Sequence, residues 1–393
     1  MAPVALAFAV YNTLEGSPTD LGLVLTARQI PVIAFLLFGG VWSDRLPRHQ
    51  VMVASNLLSG GSQAATAFLL LSGQARLWEL AALAAVNGAS SAFFFPASTG
   101  VIPQTVPVPM LQQANAMLRL ALNGTNITGA ALGGILVAAT NPGTAIAVDG
   151  ATYGLAALCI AAMNLPPGLR VEGSTVVREL REGWSEFWSR TWLWAIVVQF
   201  SVVNAAESGA VYVLGPAVAK EHLGGPAAWG VILTANSVGL VLSGLVMLRW
   251  RPKRMLLVAT LSIFPMALLA LALARPAPLL LVIACGFVAG FAVEIFGVLW
   301  DTTMQQEIPS EKLSRVSSYD ALGSWVLMPV AFAVAGPIAA TVGTRATFVG
   351  AACLTVTATA LVLLSRDVRT LERRFPSDAE GTTDSQTSAP SVA

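Results

Sequence analysis

Five ionisable side chains, Arg28, Arg119, Asp149, Glu207 and Glu294, stand inside runs of sequence that are otherwise apolar. In a bilayer such groups are costly; they mark ion or substrate pathways, or pair with one another to fix packing. The three carboxylates are suited to proton transfer. Desolvation favours the neutral acid, so a buried Asp or Glu can load and release a proton near neutral pH. Neither His49 nor His222 lies deep in an apolar run, so proton coupling here would use carboxylates. Arg28 has two candidate partners at its depth, Asp149 and Glu207. Glu294 has no cation at its depth in its own half of the chain, which ranks it first as a proton carrier, ahead of Glu207 and Asp149. For each residue a purely structural role is the competing reading.

The elements that must hold these groups are membrane spans. The chain has 393 residues, of which 55% are hydrophobic and 11% charged, with a mean hydropathy of +0.70. Soluble domains carry about 25% charged residues, so most of this surface does not meet water. A net charge of +1 gives no reason to expect a nucleic-acid partner. Cys159, Cys285 and Cys353 are isolated in apolar runs, which excludes a cysteine ligand cluster by spacing. No metal site and no cofactor are expected.

A helix needs roughly 20 apolar residues to cross a bilayer. Eleven stretches meet this: 19–42, 50–72, 77–101, 112–139, 143–165, 192–215, 226–248, 255–274, 278–300, 321–342 and 345–365. The stretch from Met1 to Leu14 is too short to span and lacks the basic start and cleavage site of a signal peptide. It reads as the second half of a spanning helix whose first half is missing. Lys and Arg divide unevenly between the two sides of these spans, sixteen against four. By the positive-inside rule the richer side, with Arg45, Lys253 and the C-terminal tail, is cytoplasmic.

Two landmarks repeat along the chain. The segment Asp44–Ser55 resembles Arg249–Thr260, with Val53 against Val258, and Ile127–Leu136 resembles Val334–Gly343, with Gly129 against Gly336. The offsets, 205 and 207, indicate two six-helix units, 1–165 and 192–365. The linker 166–191 places Val177, Leu180, Trp184, Phe187 and Trp188 on one helical face, as in a helix lying in the cytoplasmic interface or packed on neighbouring loops. The tail 366–393 is polar, low in large apolar residues beyond Ser377, and expected to be disordered. Gly129, Gly133, Gly134 and Gly336 permit close helix approach; Pro96, Pro329 and Pro337 are candidate bends.

The loop between the second and third spans reads Gly40, Asp44, Arg45, Leu46, Pro47, Arg48, His49. It resembles the cytoplasmic loop motif of the major facilitator superfamily, with Pro47 where that motif has Gly and His49 in place of its second firm cation. With "LGLVLTARQIPVIAFLLFGGVWSDR", "LQQANAML", "LWDTTMQQEIPSEKLSRVSSYDALGS" and "AGPIAA", the chain resembles the drug- and siderophore-exporting branch that includes the enterobactin exporter and macrolide efflux proteins. Antiporters of this superfamily carry a Gly-Pro-x-x-Gly-Gly motif in span five; Gly129 to Gly134 lack its Pro, while Gly336-Pro337 keeps the dipeptide in span eleven. The resemblance implies an all-α fold of two six-helix halves around a central cavity. It also implies a gating latch in which Asp44 caps span eleven near Ala321–Gly323, with Asp320 a candidate partner of Arg45. Charges that only fix topology are the competing reading.

The expected function is secondary active export of small hydrophobic molecules of drug, macrolide or siderophore type, by proton antiport and alternating access. The expected setting is the cell membrane, with protons and the lipid bilayer as partners, a monomeric state and a cytoplasmic C-terminus. A membrane-embedded enzyme is the less favoured reading, because no His-Glu-x-x-His or Gly-x-Ser-x-Gly pattern occurs. The chain has no Gly-Lys dipeptide and hence no phosphate-binding loop of an ATP-driven pump. An inactive or regulatory relative remains the second alternative.

Overall fold

A computed structural model describes residues 1–45, 47–105, 111–163, 184–275, 277–308 and 310–372; side chains at 36–45, 48, 95, 96, 99–105, 111–120, 123 and 310–315 lie outside the description. The elements are helices: α1 (Ala2–Thr13), α2 (Pro18–Arg45), α3 (Arg48–Leu71), α4 (Leu77–Thr105), α5 (Leu111–Ala139), α6 (Pro142–Ala161), α7 (Thr191–Leu223), α8 (Pro226–Met247), α9 (Met255–Ala274), α10 (Leu279–Glu307), α11 in two segments (Ser310–Trp325 and Met328–Val342), α12 (Thr344–Val362) and α13 (Arg366–Thr370), the last of which corrects the expectation of disorder from 366, because Val368 is buried there. Among the described residues, eight helices are long and apolar enough to cross a membrane.

Local chemistry explains the helix ends. Ser17 and Asp20 form a reciprocal capping box at the start of α2: the Ser17 backbone N–H donates to Asp20 Oδ2 at 2.7 Å, and the Asp20 N–H donates to Ser17 Oγ at 3.3 Å. Asn141 caps α6 by accepting from the Thr144 N–H at 2.9 Å, with Pro142 at the first helical position. Gly343, at φ +90°, lets α11 turn into α12 without an intervening loop. Buried hydroxyls are satisfied within their own helices: Thr66, Thr260 and Thr303 each donate to the carbonyl four residues back.

Packing repeats with a shift of six helices. The contacts α1–α5, α1–α6, α2–α4, α3–α4 and α3–α6 recur as α7–α11, α7–α12, α8–α10, α9–α10 and α9–α12. Between the two sets, α2 lies on α11 and α5 on α8. One apolar core draws buried residues from each of α1–α12, among them Phe8, Leu21, Leu80, Ile146, Val213, Trp229 and Phe332. It sits on the side where α1, α3, α5, α7, α9 and α11 end. Toward the opposite side the clusters are separate. One, around Trp192, Ile196, Leu256 and Trp300, comes from residues 187–368 alone; the other holds Met52 and Ala97. Among the described side chains, the two sets of helices share one core at the first end and hold separate clusters at the other.

Candidate functional site

Among α1–α6, a polar cavity of about 210 Å³ is lined by Arg28 of α2, Gln63 of α3, Asn87 of α4, and Asp149 and Tyr153 of α6. Arg28 Nε donates to Asn87 Oδ1 at 3.3 Å, and Gln63 Nε2 donates to Asp149 Oδ2 at 2.8 Å. The first amino group of the chain lies 3.7 Å from Asp149 Oδ1. The cavity thus gathers Arg28 and Asp149, but an amide engages each. The cause lies in α4. A Cβ at Gly88 would run into the Arg28 carbonyl, so the absence of one lets α4 press on α2 and brings Asn87 beside the guanidinium.

Glu207 lies elsewhere, buried on α7 against α12, and accepts a hydrogen bond from Thr355 Oγ1 at 3.0 Å. The polar contacts continue along the same seam: Gln199 Nε2 donates to Thr359 Oγ1 at 3.0 Å, and Thr359 Oγ1 donates to the Thr355 carbonyl. Thr355 follows Asp149 by 206 positions, between the offsets of 205 and 207 that relate the sequence repeats. Asp149 and Thr355 thus hold corresponding positions on α6 and α12, but Asp149 is bonded across α3–α6 and Thr355 across α7–α12. In one the carboxylate comes from the later helix; in the other it comes from the earlier helix. A buried carboxylate bonded to a neutral hydroxyl can exchange a proton without breaking an ion pair, which suits it to carrying charge in and out of a low-dielectric setting.

The remaining sequence candidates are dispersed. Glu294, on α10, points toward α8, where a Cβ at Gly244 would lie 3.7 Å from its Oε1; it too has an interaction partner. Asp320 accepts from Trp300 Nε1 at 3.0 Å and from Ser324 Oγ at 3.3 Å. Gly40, Asp44 and Arg45 fall in the last turns of α2 and Arg48 opens α3. Their side chains, like that of Arg119, lie outside the described residues. One expectation is corrected: Ala321–Gly323 is not the start of a helix. α11 begins at Ser310 and runs unbroken to Trp325, so backbone N–H groups at 321–323 are inside a helix and offer no free N-terminus for Asp44.

α11 instead breaks at Val326 and Leu327, just before Pro329. Pro lacks a backbone N–H, so carbonyls around the break need other donors. Asn204 of α7 donates to the Ser324 carbonyl at 3.1 Å, and Thr26 of α2 donates to the Pro329 carbonyl at 3.0 Å. The glycines define the contacts between the two helix sets. A Cβ at Gly134 of α5 would lie 2.9 Å from Gly230 Cα of α8. One at Gly336 of α11 would collide with Thr19 of α2, and one at Gly22 with the Phe332 carbonyl. Gly129 and Gly133 face Met1, the residue before α1, and Pro337 lies inside α11. Asn87, Gln63, Thr26, Asn204 and Thr355 were not visible as site residues in the sequence, because uncharged polar residues are common in spans that line nothing.

A family model described as Major Facilitator Superfamily matches residues 1–319 and 201–389. The chain is 25% identical over 348 residues to the multidrug efflux pump Tap of Mycolicibacterium fortuitum, covering 85% of this chain and 84% of that protein. It is 20% identical over 365 residues to macrolide efflux protein A of Streptococcus pyogenes, covering 90% of each. In structure it is similar to the nucleoside transporter NupG, with a TM-score of 0.71 at 12% identity over 92% of this chain and 93% of that one. These relatives are transporters, and the long apolar helices of this chain are those of a membrane-spanning protein. The chain is a membrane-spanning transporter, not an enzyme, and belongs to the Major Facilitator Superfamily.

Proposed function

We propose that the protein exports small hydrophobic molecules across the cell membrane in exchange for protons, by rocking of two units, 1–165 and 192–365, about a central cavity. The observation that supports this reading best is that, among the described side chains, the one apolar core drawing on both units lies at a single end. With the cation-rich loops and the C-terminal tail placed in the cytoplasm, the end joined by the shared core is external. The named activities of Tap and macrolide efflux protein A support export as the direction and lipophilic compounds as the cargo. The protein acts as a monomer in this reading, each chain supplying both units.

Glu207 is the preferred coupling group. Its burial and its Thr355 partner favour it over Asp149, which shares its cavity with Arg28, and over Glu294, which is only half-buried. The test is transport by purified protein in proteoliposomes. Wild-type protein should accumulate ethidium against its gradient when a pH gradient is imposed without ATP. Glu207→Gln should abolish that accumulation and keep downhill exchange. Full uphill transport by Glu207→Gln would remove the assignment. No transport by the folded wild type would favour an inactive or regulatory relative.

A further inference from the structure

A groove of about 690 Å³ runs along the outer surface of α8 and α10 and ends at a cluster of cations. Leu242, Leu245, Val246 and Arg249 form one wall, at the i, i+3, i+4, i+7 spacing of a single helix face. Phe287 and Phe291 of α10 form the other. The three aliphatic side chains are exposed. Their stripe is turned to neither neighbour of α8: Gly230 meets Gly134 of α5, and Gly239 meets the Phe287 carbonyl of α10. Three turns before Leu242 the same stripe carries Val231, also exposed, at the end where the two units share a core. An exposed side chain there faces the surroundings and not the space between the units, so the groove looks out into the bilayer. Gly239, level with Phe287, stands ten residues before Arg249, about 15 Å along the helix. The phenylalanines therefore sit near the middle of a ~30 Å hydrocarbon layer, and Arg249, two residues past the end of α8, reaches its edge. Beyond α8 the chain reads Arg249, Trp250, Arg251, Pro252, Lys253, Arg254. Arg254 lies 3.8 Å from Glu372. Among the described residues Arg249, Arg251 and Lys253 have no carboxylate partner, and all three are exposed.

We infer that this groove seats one anionic phospholipid of the leaflet on the cation-rich side, its phosphate held by Arg249 and one acyl chain lying between the α8 stripe and the two phenylalanines. A guanidinium offers phosphate a two-pronged fork of N–H donors. Trp250, which also lines the groove, stands at the headgroup level that suits an indole. Arg251 and Lys253 add positive potential. A headgroup of net negative charge answers that potential; a zwitterionic one brings a cation of its own and answers it less. Depth separates this occupant from the chain's own C-terminal segment. Beyond Ser377 that segment carries acidic residues but almost no large apolar side chains, so it could neutralise the cations and not fill the groove down to Phe287. The site involves neither Asp149 nor Glu207 and does not depend on the export reading.

The test uses the full chain in liposomes of phosphatidylcholine with a graded fraction of phosphatidylglycerol. One lipid or the other is brominated near the glycerol end of its acyl chains, and bromine quenches tryptophan at contact. The signal of Trp250 is the difference between the wild type and Trp250→Phe. Phosphatidylglycerol should quench Trp250 at a mole fraction about fivefold lower than phosphatidylcholine does. Arg249→Gln should remove most of that preference. Lys253→Gln, whose side chain lies outside the groove, should reduce it less, and Lys220→Gln, at the other end of the spans, should leave it unchanged. All three positions are exposed, so the fold does not hang on these substitutions. Equal quenching of the wild type by the two lipids would overturn the site. So would equal losses in Arg249→Gln and Lys253→Gln, which would reduce the preference to a diffuse cloud of anionic lipid around a charged surface. A preference retained in full by Arg249→Gln would overturn it as well.

Discussion

The contact between Gly134 and Gly230 gives a direct handle on the proposed rocking of the two units. A Cβ added at Gly134 would lie 2.9 Å from Gly230 Cα and 3.0 Å from the Pro226 carbonyl oxygen. Both are backbone atoms, so no side chain can swing away and α8 itself must give. Overpacking of this kind costs about 1–3 kcal/mol. The contact bridges the two helix sets, so the cost falls on the state in which this end is closed and is absent when α5 and α8 separate. The gain from Gly→Ala within a helix, about 0.5–1 kcal/mol, is the same in both states and cancels. Gly134→Ala should therefore shift the balance toward opening at this end by about 5- to 150-fold. Gly124→Ala on the same helix is the control, because among the described residues nothing lies within 4 Å of the added Cβ. Spin labels at Arg76→Cys and Arg275→Cys, in a background without Cys159, Cys285 and Cys353, sit on exposed loops of the two sets at this end. Pulsed electron–electron resonance should show a longer-distance population in Gly134→Ala and a wild-type distribution in Gly124→Ala. Identical distributions in the two folded variants would refute the reasoning.

Two further outcomes are expected. Ser17→Ala removes one side of the capping box that starts α2 and should lower stability by about 1 kcal/mol, read as a lower thermal midpoint with transport per folded molecule retained. Single cysteines near Lys220 should react with an impermeant reagent added outside intact cells, while cysteines near Lys253 and after Arg366 should react only after permeabilisation; the opposite pattern would invert the orientation and make the closed end cytoplasmic.

Most of the fold was legible because a bilayer makes hydropathy nearly decisive. Each of the eleven apolar stretches coincides with a helix, and the departures have local causes. The stretch expected to stop at 215 runs on to Leu223, because Lys220, Glu221 and His222 stay helical until Gly224, at φ +99°, ends the helix. The stretch expected to begin at 321 begins at Ser310, because Glu311, Lys312 and Arg315 read as loop by charge although helices tolerate them well. Hydropathy measures what a segment can dissolve in, not where its backbone turns.

The site was legible only in part, and for a different reason. Charge in an apolar run identified Arg28, Asp149 and Glu207, but the partner of a charge is a three-dimensional fact. Pairing by depth set Arg28 against Asp149 or Glu207; the structure sets amides against Arg28 and Asp149, and a hydroxyl against Glu207. What decides between them is backbone approach. Gly88 lets α4 reach α2 and inserts Asn87, and the repeat places Thr355 where the other unit has Asp149. A glycine facing a neighbouring carbonyl and a glycine facing empty space, such as Gly124, look alike in sequence, yet only the first determines which polar groups meet. The repeat offset was the one signal able to join the two sites before any coordinates. It relates position 149 to 355, a carboxylate to a hydroxyl, so the repeat keeps a polar group at this place on α6 and α12 but not its chemistry. Ranking carboxylates by their cations in sequence put Glu294 ahead of Glu207 because cations can be read along a chain and burial cannot; Glu207 is the more deeply buried of the two.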